Sequence, residues 1–437
     1  MLTRREFNLL IAGLTVAGGA TLLDACQTQK PASTGPKLDT GPAQMTMNWW
    51  GSPNRASLTN SAFSLFEQKH SQYGISGSYK TAFGDYWDQM ASLIAASQAP
   101  DLMQMDVSYI AQYANKGYVL DLTPYAQSQI SIKGVDPGLI HQGLVGGKLY
   151  GVPIASNTQA TFVNMDILSQ AGLSSLPKDW TWNGLANFCT QVAKHLPAGV
   201  WPMDDAAGSG MLFRVWLLQH GSDMYTPDGR FGASRQQVAD WFQFWQDLRE
   251  AGGLVPMAFL QEGQVVNPGT TLIALNKVLI GFDWSNQLAQ YLAFTKENVT
   301  LAPVPQGTHP GSYLKASQLL SISATTKYPS QAAQFINFWI NDVDAAKILG
   351  IDRGLPVTQQ SSAAVRPTLT AAQQAEVDFM VAQSRLVTSA MRDPSGSGPA
   401  MSGLTQIAIQ LAQGKLTVAS ATDQFIQQAN STLTGQI

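Results

Sequence analysis

Strand-like and helix-like segments alternate along this chain, which predicts an α/β protein of two lobes. Between Met45 and Asp106 the order is strand, helix, strand, helix, strand, the pattern of an open sheet with crossover connections. Later segments carry longer helical stripes. The 437 residues suffice for two or three lobes of about 150 residues each, and 45% hydrophobic residues supply a sizeable core.

The first five elements follow from the spacing of apolar residues. Strands are predicted at 45–50, 74–79 and 102–105, and the last of them ends at Asp106. Two helices lie between them, each with one apolar face, at Leu58, Ala62, Leu65 and Phe66 and at Trp87, Met90, Leu93 and Ile94. This rhythm alone indicates crossover connections between neighbouring strands.

Further elements are predicted in the second half of the chain. Residues 272–283 contain apolar segments that read as strands, and the end of the chain reads as helices joined by a loop at 392–398. Two helical stripes stand out, Val238, Trp241, Phe242, Trp245 and Leu248 before Gly252, and Ala332, Phe335, Ile336 and Trp339 before Gly350.

The first 26 residues have the pattern of an export signal. Arg4 and Arg5 form a twin-arginine pair, an apolar run follows at 9–16, and 23–26 reads Leu-Asp-Ala-Cys, a lipobox-like site. The run is shorter than the roughly 20 residues that span a bilayer. We therefore expect an exported protein, either a cell-membrane lipoprotein anchored through Cys26 or a periplasmic protein, with a flexible tether at 27–43.

Composition excludes several classes of function. The net charge is −3 and only 13% of residues are charged, so the basic footprint of a nucleic-acid-binding protein is missing. Five histidines and two cysteines are scattered without metal-ligand spacing. We expect neither a metal nor another cofactor. If Cys26 carries lipid, Cys189 is left alone and no internal disulfide can form.

Three segments carry a resemblance to a known family. The first segment joins 99–106 (APDLMQMD) and 117–124 (GYVLDLTP). The second joins 147–153 (GKLYGVP) with 157–158 (NT) and 162–164 (FVN), and the third joins 332–338 (AAQFINF) and 354–357 (GLPV). In this order and spacing they resemble the extracellular solute-binding proteins of bacterial ABC importers, in particular the carbohydrate-binding group. Within that group, residues 49–51, 83–87 and 313–315 look most similar to binders of plant-cell-wall oligosaccharides.

The resemblance implies a periplasmic-binding-protein fold whose two lobes close on a ligand in the cleft between them. One lobe would comprise 44–156 with 310–357, and the other 157–309 with 358–437. The loaded protein would deliver a carbohydrate to the permease subunits of an ABC transporter. We expect a monomer that touches the membrane only through its lipid anchor.

A sugar cleft needs aromatic plates for the ring faces and planar polar groups for the hydroxyls. Candidates of these types stand at strand ends, loops and the presumed crossover: Trp49, Trp50, Arg55, Asp85, Tyr86, Asp106, Asn157, Asp283, Trp284, Lys315 and Arg353. Trp284 is the strongest candidate for stacking.

Each candidate also has a structural alternative. One of the two neighbouring tryptophans, Trp49 and Trp50, should point into the core, because strand neighbours face opposite sides. Asp85 and Asp106 could only cap helices. The basic residues would contact a charged ligand, but would form ion pairs within the protein if the ligand is neutral.

Other functions remain alternatives at this point. The cleft could hold a polyamine or a polyol phosphate, or the loaded form could signal to a membrane kinase. An anchored carbohydrate-active enzyme is the remaining rival, but no pair of carboxylates can be nominated for glycoside hydrolysis and no common catalytic motif occurs. We therefore predict a protein that is not an enzyme.

Overall fold

The computed structural model describes residues 36, 38–259, 271–292, 294–383 and 392–433. The predicted export signal with Cys26, and 27–35 of the predicted tether, lie outside these residues. Among the described residues, no helix is both long and apolar enough to cross a membrane.

The strands in the described part of the chain are β1 (Ala43–Trp50), β2 (Tyr73–Lys80), β3 (Leu102–Met105), β4 (Leu144–Val145), β5 (Lys148–Leu149), β6 (Val152–Asn157), β7 (Gln159–Asn164), β8 (Trp201–Met203), β9 (Val278–Trp284), β10 (Val299–Ala302), β11 (Lys315–Ile322) and β12 (Leu355–Pro356).

The α-helices are α1 (Pro53–Lys69), α2 (Phe83–Ala95), α3 (Val107–Asn115), α4 (Thr123–Ala126), α5 (Pro137–Gln142), α6 (Met165–Gln170), α7 (Trp182–Val192), α8 (Gly210–Gln219), α9 (Arg235–Glu250), α10 (Leu288–Leu292), α11 (Pro329–Asn341), α12 (Val343–Leu349), α13 (Gln359–Val365), α14 (Ala371–Gln383), α15 (Ser397–Ala412) and α16 (Val418–Thr432). Short 3₁₀ helices lie at Ala193–His195, Met257–Phe259, Ser285–Gln287 and Arg366–Thr368.

The first sheet has the strand order β12-β6-β11-β3-β1-β2. Strand β1 pairs in parallel with β2 and β3, through the crossover helices α1 and α2, whereas β11 runs antiparallel to β3 and β6. The carboxyl ends of β1 and β3 therefore meet at one edge, where ligands bind in open α/β sheets. Trp50 and Asp106 stand at that edge.

The second sheet has the order β10-β7-β9-β8. Strand β7 runs antiparallel to both β9 and β10, and β8 runs parallel to β9. In this register Gln159 lies opposite Trp284, and Ala160 lies opposite Asp283. Because strand neighbours face opposite sides, Trp284 and Asp283 belong to different faces of the sheet.

Each sheet has its own hydrophobic core. Large side chains buried against the first sheet include Met45, Met47, Trp49, Phe66 and Phe335. Those beside the second sheet come mainly from α8, α9 and α16, and include Phe213, Trp241, Phe242, Trp245 and Phe425. The chain is thus a mixed α/β protein with two packed layers of sheet and helix.

A single residue, Thr158, separates β6 of the first sheet from β7 of the second. Its hydroxyl donates to the Tyr313 carbonyl at 3.1 Å, and the Tyr313 N–H donates to Oε1 of Gln159 at 3.0 Å. These hydrogen bonds connect the β6–β7 crossover to the second crossover, the segment that links β10 of the second sheet to β11 of the first. The predicted lobe boundaries at 156/157, 309/310 and 357/358 stay a prediction.

The strands and helices predicted between Met45 and Asp106 are confirmed, but two later predictions were wrong in detail. Leu272 and Ile273 lie in turns, and only Val278–Trp284 is a strand. Ile273 is apolar because it covers the sheet. The predicted helix before Gly350 is two helices, because α11 ends at Asn341 and Asp342 caps α12.

Candidate ligand-binding cleft

Trp284 forms an aromatic corner with Tyr313. The Trp284 ring is half-buried at the end of β9, and its centroid lies 6.1 Å from that of Tyr313 in an edge-to-face arrangement. The ammonium group of Lys315 lies 5.2 Å from the Trp284 ring centroid. Lys315 begins β11 of the first sheet, so residues from both sheets meet at this ring.

Asp106 links this corner to α3. Its Oδ2 accepts from Nζ of Lys315 at 2.8 Å, and its Oδ1 accepts from the N–H and the hydroxyl of Ser108 at 2.9 and 2.7 Å. Burial alone would raise the pKa of Asp106, but the Lys315 ammonium and the Ser108 bonds outweigh it and hold the pKa below its ordinary value. Asp106 is therefore both a helix cap and one half of an ion pair.

Arg214 of α8 adds a second buried cation. Its Nε donates to Oδ1 of Asp223 at 2.8 Å, and its Nη1 donates to Oδ1 of Asp393 at 2.6 Å. The guanidinium carbon lies 5.3 Å from the Tyr313 ring centroid and 5.1 Å from that of Tyr225. Burial would lower the pKa of Arg214, but Asp393 and Asp223 raise it above its ordinary value.

Arg214 and Asp393 were not among the site residues predicted from the sequence. One signal was present, since Arg214 interrupts the apolar run of α8, and a charge in such a run needs a buried partner. Asp393 carried no such signal, because it lies 179 residues away along the chain.

The crossover contributes amide groups. Nδ2 of Asn157 donates to Oδ1 of Asn286 at 2.9 Å, across the two sheets. Oδ1 of Asn157 and Nε2 of Gln159 are buried and have no hydrogen-bond partner within the described part of the chain. Both amides therefore keep hydrogen-bonding capacity that a hydroxyl-rich ligand could use.

Asp283 lies on the opposite face of the second sheet from Trp284. The Asp283 carboxylate accepts from the backbone N–H of Trp284 at 2.7 Å and from the hydroxyl of Tyr291. Burial raises the pKa of Asp283 to about 6. Asp204 lies nearby, and burial followed by the charge of Asp205 raises its pKa to about 7. The structure does not bring Asp283 into the aromatic corner.

The aromatic candidates Trp49, Trp50 and Tyr86 lie in the hydrophobic core beside the first sheet. Trp49 is 1% exposed and Tyr86 is fully buried, with its hydroxyl donating to the Gln104 carbonyl at 2.7 Å. Trp50 is 9% exposed and packs against Phe83 and Tyr86. Trp50 and Tyr86 pack between β1 and α2, whereas the Trp49 ring packs against Phe63 of α1 and Tyr79 of β2. Trp49 and Tyr86 therefore present no open face to a ligand.

Arg55 and Arg353 are buried beside the first sheet and bond to groups of the protein itself. Nε of Arg55 pairs with Oδ2 of Asp352 at 2.6 Å, and both side chains are below 10% exposed. Arg353 donates to Oε1 of Gln104 at 3.1 Å and to the Thr59 hydroxyl at 2.8 Å. Burial, and then the charge of Arg55, lower the pKa of Arg353 to about 9. Neither guanidinium joins the corner at Trp284.

The remaining predictions concern Asp85 as a ligand-binding residue and metal binding. Asp85 is exposed in the first turn of α2, whose N-cap is Ala82. Within the described ranges, no group of three or more His, Cys, Asp or Glu side chains could hold a metal ion. Cys189 is buried, and burial raises the pKa of its thiol.

The fold is that of a two-lobed α/β protein in which residues from both sheets meet at Trp284. The model of the bacterial extracellular solute-binding protein family matches residues 61–377, so the chain belongs to that family. It is therefore an exported protein of a class that binds solutes. Binding proteins of Brucella abortus and Brucella suis are 24% identical over 98 residues, and this match spans only about a quarter, 24%, of their length.

Solved structures show the same fold. A family 1 extracellular solute-binding protein from Alicyclobacillus acidocaldarius is 27% identical, with a TM-score of 0.68 over 90% of this chain and 99% of that one. An oligogalacturonide-binding protein from Yersinia enterocolitica, solved with digalacturonic acid, is 20% identical, with a TM-score of 0.78 over 89% and 98%. A substrate-binding protein from Listeria monocytogenes, solved with cycloalternan, is 17% identical, with a TM-score of 0.76 over 90% and 99%.

Proposed function

We propose that this protein captures a carbohydrate in the cleft around Trp284 and delivers it to the permease of an ABC importer by closure of its two lobes. The observation that carries the proposal is the meeting of Trp284 from the second sheet with Lys315 and Asp106 from the first. An aromatic face next to paired donors and acceptors suits a sugar, which presents C–H faces and hydroxyls together.

Closure would follow from ligand contacts on both lobes. Trp284 and Asn286 belong to the second sheet and its 3₁₀ extension, whereas Asn157 and Lys315 belong to the first sheet. A ligand that touches both sets binds the closed arrangement better than an open one, and it therefore shifts the population towards closure. The permease would then recognise the closed form.

An oligosaccharide is the favoured ligand class. Two proteins of this fold carry oligogalacturonide and cycloalternan in their names or complexes. A plant-cell-wall oligosaccharide is the narrower proposal, and polyamines and polyol phosphates are the alternatives. The protein would be a monomer that works without enzymatic chemistry.

Calorimetric titration tests the function directly. The exported protein is titrated with neutral oligosaccharides, uronate oligosaccharides, polyamines and polyol phosphates. Saturable one-to-one binding of a saccharide supports the proposal. Saturation by a polyamine or a polyol phosphate alone would replace the carbohydrate assignment with that solute, and the absence of saccharide binding across the panel would refute it.

Lipid attachment at Cys26 is a separate proposal about location. Cys26→Ser should release the protein from membranes into the soluble fraction, because the thiol that would carry the lipid is removed. Fractionation followed by immunoblotting measures this. A variant that stays with the membrane would argue against Cys26 as the anchor.

A further inference from the structure

We infer that the solute held beside Trp284 is an uncharged saccharide, because the cations around that ring are already neutralised by the protein's own carboxylates. This inference rests on the proposed function and names the ligand class more narrowly. It also separates this cleft from the binding of an acidic sugar, which is what the name of the Yersinia protein states for that protein.

Lys315 is committed to Asp106. Their ion pair measures 2.8 Å, and the two side chains are only 18% and 11% exposed. An ion pair so little exposed is weakly screened by salt. A uronate carboxylate that paired with Lys315 would leave Asp106 buried without its partner, and an uncompensated buried charge is strongly unfavourable.

Arg214 is committed in the same way. Asp223 and Asp393 accept from its Nε and Nη1, and the three side chains are 7%, 10% and 17% exposed. The rings of Tyr225 and Tyr313 lie against the guanidinium at 5.1 and 5.3 Å. A ligand carboxylate would have to displace one of these aspartates to pair with Arg214.

Arg392 stands outside these ion pairs, because its contact in the described part of the chain is a backbone carbonyl. Its Nη1 donates to the Leu144 carbonyl at 2.6 Å, and it precedes Asp393 in the chain. The aromatic corner therefore holds two cations, Lys315 and Arg214, and three carboxylates paired with them, Asp106, Asp223 and Asp393. Because each of these two cations is already paired with a carboxylate, an acidic oligosaccharide gains no net attraction from them.

A neutral sugar avoids these conflicts. A hydroxyl can accept from the Lys315 ammonium and donate to an Asp106 oxygen while the ion pair stays intact, because each group has further hydrogen-bonding capacity. The ring face can lie on the free part of Trp284. The site is therefore suited to hydroxyl-rich, uncharged units.

Matched ligand pairs test the inference. Neutral gluco-, galacto- and manno-oligosaccharides are titrated beside the glucuronate, galacturonate and mannuronate oligomers of equal length. The best neutral oligomer should bind at least tenfold more tightly than its uronate counterpart. Tighter binding of a uronate overturns the inference while leaving carbohydrate capture intact. If no saccharide of either kind binds, the proposed function fails and the inference falls with it.

Asp106→Asn sharpens the test, because it leaves the Lys315 ammonium unpaired while asparagine can still cap α3. The ratio of neutral to uronate affinity should fall at least tenfold in this variant. Asp121→Asn is the matched control. The Asp121 carboxylate likewise accepts from a backbone N–H, that of Thr123 at 2.9 Å, and lies 3.6 Å from the ammonium of Lys148. An unchanged ratio in a folded Asp106→Asn variant, or an equal change in the control, would contradict the electrostatic argument.

Discussion

Replacing Trp284 with alanine should weaken saccharide binding by about ten- to seventyfold. A fully buried tryptophan side chain removes roughly 200 Å² of surface from water. Trp284 is already half-buried, so a stacked sugar covers at most about 100 Å² more. At about 25 cal/mol per Å² this gives an upper limit of about 2.5 kcal/mol, and a tenfold loss of affinity corresponds to about 1.4 kcal/mol.

The Trp284→Ala variant should remain folded. It loses the ring contact with Tyr313 and the cation–π contact with Lys315, each worth about 0.5–1.5 kcal/mol. Domains are stable by about 5–15 kcal/mol, so this loss is tolerated. Circular dichroism and a urea titration would establish the folded state before binding is measured.

Calorimetry of the Trp284→Ala variant with the best saccharide gives the decisive number. Trp201→Ala is the control, because Trp201 is also a half-buried tryptophan of the second sheet. Trp201 begins β8 and Trp284 ends β9, and since these strands run parallel the two residues stand at opposite ends of the sheet. The control should keep wild-type affinity. Wild-type affinity in folded Trp284→Ala would remove this ring from the site and refute the reasoning.

Two further predictions concern stability. The pKa of Asp283 is raised to about 6 in the folded protein from about 3.9 in an unfolded chain, so the folded state binds more protons and stability falls as the pH rises between these values. Asp283→Asn should therefore be more stable than wild type by about 2–3 kcal/mol at pH 7 and equal to it below about pH 4, as urea titrations at both pH values would measure; equal stability at pH 7 would contradict this. Arg55→Met should cost about 3–5 kcal/mol, because it leaves Asp352 buried without its partner. The double variant with Asp352→Leu should recover most of this loss in the same assay, and a double variant as unstable as the single one would argue against the ion pair as the cause.

The sequence was sufficient to predict the early fold because each of its elements is defined locally. The helix after Gly51 follows from the apolar spacing, and the structure adds Ser52 as its N-cap and Pro53 at its first position. The turn at Leu272 was mistaken for a strand, since an apolar run that covers a sheet has the same composition as one within it.

Site residues were harder to predict because their roles depend on distant partners. Arg55 was assigned to the ligand, yet its partner Asp352 stands 297 residues further along the chain. Trp284 and Lys315 were both candidates, but no local sequence pattern indicates that the Lys315 ammonium lies over the Trp284 ring. Sequence periodicity reports which face is buried, and it does not report what lies across that face.

The position of β11 in the first sheet has a consequence for synthesis of the chain. Residues 315–322 supply the strand that lies between β3 and β6, although both neighbours are complete by residue 157. While the ribosome makes the intervening residues, the edges of β3 and β6 that later receive β11 lack a partner, and such edges are prone to aggregation. The first sheet can therefore be completed only after this late central strand has been made, and until then the two open edges are places where misassembly can begin.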